Sequence, residues 1–115
     1  MTPPAIDPDR YAELQATAGA DFVVELVDTF LQEAPLMLGE LRAAHSVNDA
    51  GRFRRAAHSF KSNSHTFGAL TLGALARDLE LTGMSADSAQ DSARLDALEA
   101  EYARAAAALK ALRHG

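Results

Sequence analysis

The sequence predicts an all-α fold, an antiparallel four-helix bundle with an additional short N-terminal helix. The 115 residues include 25 alanines and 15 leucines but only four valines and one isoleucine. Small and straight-chain residues favour helix, whereas β-branched residues favour strands. Apolar residues also recur at spacings of three and four, the period of a helix buried on one side. With 48% hydrophobic residues, the chain is long enough for a single domain with one continuous core.

A short first helix is expected within residues 1–20, where it would cover the bundle as a lid. Asp7 suits the N-cap position, Pro8 suits the first helical position, and Gly19 is a suitable stop. The remaining residues, 21–113, are expected to form the bundle.

Four longer helices follow in the predicted bundle. The first begins near residue 21, and Pro35 either kinks it or starts a new helix, because proline has no amide hydrogen to donate. The others are expected over about 49–67, 69–82 and 88–113, separated by turns at Gly68 and at 83–87. The last helix has an apolar seam that we expect to pack within a monomer, with homodimerisation as the alternative. Five aromatic residues are expected in the core: Phe22, Phe30, Phe53, Phe60 and Phe67.

Composition excludes several classes of function. The chain has no cysteine, which removes disulfides, thiolate zinc sites and cysteine nucleophiles. Its N-terminus is not that of a signal peptide, and no stretch approaches the roughly 20 apolar residues of a membrane span. The net charge of -5 argues against nucleic-acid binding. No two histidines are four residues apart, so we predict no metal site. A cytoplasmic protein is expected.

The helix predicted over 49–67 has an unusual exposed face. At about 100° per residue, His58 points away from the core side, and three neighbours on its face, Arg54, Lys61 and Ser62, lie one turn from it. His65 lies two turns along the same side. No acidic residue occurs between 50 and 77, although five arginines and lysines do. This pattern predicts a site for a small anion or for an acidic patch on a partner. The core side of the helix is predicted to consist of Phe53, Ala56, Ala57, Phe60, Ser64 and Phe67.

An exposed histidine beside cations permits phosphoryl chemistry. A neutral imidazole is a competent nucleophile, and neighbouring cations would face the negative charge of a phosphoryl group. Phosphoryl transfer depends mostly on positioning and charge stabilisation. The chain has no glycine-rich phosphate loop and no acidic cluster near His58. It could therefore carry a phosphoryl group but not readily take one from ATP.

The segment Ala57-His58-Ser59-Phe60-Lys61-Ser62-Asn63-Ser64, followed by Gly68-Ala69, two spaced leucines and Leu79-Glu80, resembles the histidine-containing phosphotransfer (HPt) family. The resemblance implies a four-helix bundle in which His58 exchanges a phosphoryl group with the aspartate of a receiver domain. It also implies that Lys61 supplies charge near that group. Phe60 replaces the family's leucine, and Ser62 replaces its glycine, which puts the choice of partner in question.

The resemblance further implies a phosphocarrier that is not an enzyme and has no cofactor of its own, with Mg²⁺ held by the receiver. Arg54, Arg55, Ser62 and His65 are expected at the rim of the docking surface, although the two arginines could be ordinary surface charges. Two alternatives remain. One is a helical docking module that accepts no phosphate. The other is a domain cut from a larger hybrid or chemotaxis-type kinase, against which the short length and initiating methionine argue.

Overall fold

The computed structural model describes residues 3–114, and its regular structure there consists of α-helices without strands. Helix α3 packs against α2 and α4, and α5 packs against both α2 and α4, so these four helices form a closed bundle. Helix α1 packs against α2. The all-α prediction is therefore confirmed. The helices are α1 (Pro8–Ala18), α2 (Ala20–Ser46), α3 (Ala50–Thr66), α4 (Leu70–Thr82) and α5 (Ser88–His114).

Short polar side chains and glycines set the helix ends. The Asp7 carboxylate accepts a hydrogen bond from the Asp9 amide at 2.9 Å. The Asp49 carboxylate accepts one from the Arg52 amide at 3.1 Å. Both are N-caps, which satisfy amides that have no partner in the first turn. Gly68 follows α3 with a φ of 78°, a left-handed conformation that glycine adopts without a steric penalty.

Pro35 lies inside α2, which continues through it as one helix of 27 residues. Of the two possibilities that the sequence left open, a new helix at Pro35 is therefore wrong. Proline removes the hydrogen bond that its amide would have donated to the carbonyl of Leu31. The helix nevertheless buries one face along its length, including Val27, Ala34 and Leu41, and such packing supplies most helix stability in proteins.

Four aromatic rings, from α2, α3, α5 and the residue that follows α3, form the centre of the core. The ring centroid of Phe30 lies 5.2 Å from that of Phe67 and 5.9 Å from that of Tyr102. Phe60 lies 6.2 Å from both Phe30 and Tyr102. The rings are tilted or edge-on, the arrangements that aromatic pairs prefer. They fix α3 against α2 and α5.

One of the five aromatic core predictions is wrong, because Phe22 is 50% exposed. The expectation followed a spacing of four from Phe22 through Leu26 to Phe30. Each step of four residues rotates the side-chain direction by 400°, which is 40° more than a full turn, so the direction drifts by about 80° over two steps. The buried line of α2 instead begins at Val23 and continues through Val27, which leaves Phe22 at the edge facing solvent.

The N-terminal segment is tied to the turn between α3 and α4. The Asp7 amide donates to the Gly68 carbonyl at 2.8 Å, and Ile6 and Tyr11 are buried. A Cβ atom on Gly68 would lie 2.8 Å from the Cβ of Arg10, so α1 and this turn make close contact. None of the helices within residues 3–114 combines the length and the apolar character needed to cross a membrane.

A buried carboxylate organises the loop between α4 and α5. Asp91 is 1% exposed and accepts hydrogen bonds from the amide and the hydroxyl of Ser85, both at 2.9 Å. Arg94 Nη1 lies 3.2 Å from the same carboxylate, and His45 Nε2 lies 3.4 Å from it. These partners join the loop to the beginning of α5 and to the end of α2.

Candidate functional site

The core side of α3 sets the direction of His58. The six side chains predicted to face the core are all buried, and Phe60 belongs to the aromatic centre. Because the helix cannot rotate without exposing these residues, His58 must point outward. Its side chain is 58% exposed, near the middle of α3, on a face that solvent and a partner can reach.

A carboxylate from the neighbouring helix binds the imidazole. Glu80 of α4 places Oε2 2.6 Å from Nδ1 of His58, and its other oxygen, Oε1, accepts a hydrogen bond from Nζ of Lys61 at 2.6 Å. Glu80 and Lys61 are largely shielded from solvent, with 17% and 22% of their side chains exposed. The two α3 residues singled out by the sequence are thus joined through one α4 side chain.

The charge of Glu80 determines which nitrogen of His58 is free. The hydrogen bond from Lys61, followed by that from His58, lowers the pKa of Glu80, so the carboxyl group is ionised at neutral pH. An ionised carboxylate can only accept hydrogen bonds. Nδ1 of His58 therefore carries the hydrogen, and in the neutral ring Nε2 keeps a free lone pair. The site presents Nε2 as a nucleophile.

Glu80 is the functional residue that sequence reasoning missed. The sequence presents it only as part of a Leu-Glu motif, outside the acid-free segment 50–77. The antiparallel arrangement supplies the missing information. His58 precedes Gly68 by ten residues and Glu80 follows it by twelve, and residues at similar distances from a turn between antiparallel helices lie opposite each other.

The arginines near His58 fall into two groups. Arg52 binds Glu40 of α2, with Nη2 2.8 Å from Oε1. Arg54 and Arg55 are exposed, and within residues 3–114 no carboxylate oxygen lies within 4.0 Å of either guanidinium. Arg77 of α4 is exposed as well. The free positive charge at this face therefore comes from arginines one turn before His58 and from the neighbouring helix.

Ser62 and His65 occupy the other end of the same face. Both are exposed. The Ser62 hydroxyl makes no hydrogen bond with the imidazole, whose Nδ1 is held by Glu80. The ring of His65 lies directly over Gly73 of α4, in space that a Cβ atom there would fill. His65 thus contributes to α3–α4 packing in addition to lying on the predicted rim.

No ligand set for a metal is assembled in the described chain. Among residues 3–114, no three histidine, aspartate or glutamate side chains converge in a way that could hold an ion. The carboxylate nearest to His58 is already bound to an ammonium and an imidazole. The site therefore offers a nucleophile and cations, the groups that an incoming phosphoryl group needs.

Comparison with known proteins identifies the family of the chain. Residues 25–108 match the family model of the Hpt domain. Among solved structures, the chain is similar to histidine-containing phosphotransfer protein B (HptB) from Pseudomonas aeruginosa PAO1, with a TM-score of 0.83 and 29% sequence identity. That likeness covers 98% of this chain and 97% of the other. No curated protein matches the sequence.

Proposed function

The chain belongs to the Hpt domain family and has a histidine phosphotransfer role in phosphorelay signalling; from this premise we propose that His58 carries the phosphoryl group on Nε2. The observation that carries the proposal is the Glu80 carboxylate 2.6 Å from Nδ1 of an imidazole whose side chain is 58% exposed. In the neutral ring this contact keeps the hydrogen on Nδ1, so Nε2 is the nitrogen that holds the free lone pair.

The proposed transfer forms and breaks one bond to phosphorus and needs no covalent reactant beyond the two proteins. The lone pair of Nε2 attacks the phosphorus of an aspartyl phosphate on a receiver domain, and the bond from phosphorus to the aspartate oxygen breaks. The aspartate leaves as a carboxylate with the bonding electron pair. The ring keeps its hydrogen on Nδ1 and becomes cationic, and Glu80 stabilises that charge by a charge-assisted hydrogen bond. Transfer to the next receiver reverses these steps.

Lys61 supplies positive charge for the phosphoryl oxygens. Its ammonium, 2.6 Å from Glu80 Oε1, is held on the same side of α3 as His58, one turn away. Preorganised charge costs no reorganisation when the group arrives. Arg54, Arg55, Ser62 and His65 form the rim that a receiver would contact.

The receiver would supply the remaining chemistry. We propose that the Mg²⁺ required for transfer is bound by carboxylates of the receiver, and that this chain has no cofactor and no autonomous kinase activity. It would act as a cytoplasmic monomer whose single phosphoacceptor serves donors and acceptors in turn. Support comes from the cationic face of α3, which suits an anionic group better than a metal ion.

A transfer experiment tests the proposal. A receiver domain phosphorylated by a small-molecule donor is mixed with the protein and Mg²⁺, beside a His58→Gln control. We expect an acid-labile, base-stable label on the wild-type chain and none on the control. If every receiver from the same organism fails to label a folded wild-type chain, the phosphocarrier role is refuted. Binding without labelling would then identify a docking module.

A further inference from the structure

Charge is divided along the face of α3 that presents His58. Residues 3–34, which form α1 and the first half of α2, contain seven acidic residues and one arginine. Residues 50–82, which form α3 and α4, contain five basic residues and two acidic ones. Glu80 and Lys61 pair with each other, which leaves four arginines and one acidic residue in this segment. A protein of net charge -5 therefore has a basic region around its nucleophile.

The basic end of this face lies toward the beginning of α3. Arg54 and Arg55 precede His58 by one turn, are exposed, and have no carboxylate within 4.0 Å among the described residues. The carboxylate of α2 that approaches this end, Glu40, is bound by Arg52. Both guanidinium groups can therefore reach a partner, and the charge of Arg55 also acts on Glu40 and helps to lower its pKa.

The opposite end of the face is bordered by acid. Glu33 of α2 lines a small cavity with Asn63 and Thr66, and Glu13 of α1 lines a groove with His65 and Thr66. Both glutamates are exposed. No cation lies within 4.0 Å of either in residues 3–114, although Arg10 shares the groove with Glu13. These acids border the last two turns of α3, so His58 lies between charges of opposite sign.

We infer that this polarity fixes the rotational orientation in which a receiver domain docks on His58. The inference rests on the proposed function and adds the chemistry of the partner surface. The receiver presents acidic side chains over Arg54 and Arg55 and basic side chains over Glu13 and Glu33. Complementary rim charges steer encounter, and like charges disfavour the wrong orientation. A receiver turned by half a revolution would place like charges together at both ends.

Neutralising the acidic end distinguishes orientation from simple attraction. The double variant Glu13→Gln/Glu33→Gln raises the net charge by two, as does the control Ala97→Lys/Ala100→Lys on exposed positions of α5, which lies diagonally across the bundle from α3. If the receiver is merely attracted by positive charge, both variants accelerate transfer. If the two ends orient it, the glutamate variant is slower than the control.

The measured quantity is the second-order rate constant of phosphoryl transfer from a phosphorylated receiver. The receiver used is the one that labels the wild-type chain fastest. At low ionic strength we expect the glutamate variant to be about three- to tenfold slower than wild type, and Arg54→Gln/Arg55→Gln to be slowed similarly. High salt should remove both differences, because exposed charges are screened. Circular dichroism verifies that each variant folds.

The result separates failure of this inference from failure of the proposed function. If wild type is labelled and the glutamate variant is as fast as the lysine control, the orienting role is overturned while the proposed function stands. An effect that persists unchanged at high salt also overturns it. If no receiver labels the wild-type chain, the proposed function fails and the inference fails with it.

Discussion

Replacing Glu80 with glutamine removes one negative charge and one acceptor from the site while keeping the shape of the side chain. In the structure, Oε2 faces Nδ1 of His58 and Oε1 faces the Lys61 ammonium, each at 2.6 Å. Glutamine has one acceptor oxygen and one donor NH₂ group. If the oxygen faces Lys61, the NH₂ group faces Nδ1. That arrangement favours the tautomer with hydrogen on Nε2, which cannot attack phosphorus.

The size of the effect follows from the role of the carboxylate. In metal sites, removing the partner that orients a ligand histidine costs about 10- to 100-fold in affinity or activity, and Glu80 holds the ring of His58 in the same way. Water competes at this site, because the His58 side chain is 58% exposed, and it can replace part of the lost hydrogen bonding. We therefore expect Glu80→Gln to accept the phosphoryl group about tenfold more slowly than wild type, near the lower limit of that range.

The assay is the initial rate of label transfer from a phosphorylated receiver, with ¹⁵N NMR of the imidazole as an independent readout of the tautomer. Glu40→Gln is the matched control, since Glu40 also pairs with a cation of α3, Arg52, but does not contact His58. Wild type and the control should show hydrogen on Nδ1, and Glu80→Gln should show a mixture. The reasoning is refuted if Glu80→Gln transfers within twofold of wild type, or if both variants lose activity equally.

Three further predictions concern pH and stability. The pKa of Glu80 is lowered chiefly by its hydrogen bond from Lys61. This contact therefore stabilises the fold above the ordinary glutamate pKa, and the stabilisation is lost as the pH falls through the lowered pKa. A titration of Glu80 by ¹³C NMR should give a midpoint below the ordinary range, and the midpoint should rise in Lys61→Met; an ordinary midpoint in wild type would contradict this. Asp91→Ala leaves buried donors without their carboxylate and should destabilise the fold by about 3 kcal/mol in urea titrations. The control Asp96→Ala, at a side chain that is 72% exposed, should lower the free energy of unfolding by less than about 1 kcal/mol. Equal losses in the two variants would show that the buried hydrogen bonds of Asp91 contribute no special stability. Gly68→Ala, at a φ of 78°, should cost about 1–3 kcal/mol and speed hydrogen exchange in α1; unchanged exchange there would show that the turn does not hold that helix.

The direction of each α3 side chain could be predicted from sequence because it depends on local geometry. Phenylalanines and small residues recur at helical spacing, and the 100° rotation per residue then places His58 opposite them. The same reasoning identifies the cap Asp7, since capping involves residues two or three positions apart. Where the pattern drifts, as at Phe22, local reasoning fails.

Contacts between helices could not be predicted in this way. The bond between His58 and Glu80 spans 22 residues, and it depends on the register of α3 against α4, which close contact at Gly73 helps to set. The sequence alone also does not show which arginine is paired with a carboxylate. Arg52 and Arg54 differ by two positions, or 200° around the helix, so that one reaches Glu40 while the other faces solvent.

The position of His58 on one exposed helix face has a kinetic consequence. In the proposed role, a single imidazole on an exposed helix face can contact one receiver at a time, so loading and unloading would alternate as in a ping-pong reaction. Any two receivers that use this face then compete for it. An abundant receiver slows delivery to a scarce one even when it accepts no phosphoryl group, and signal flow depends on the relative amounts of the partners as well as on their chemistry.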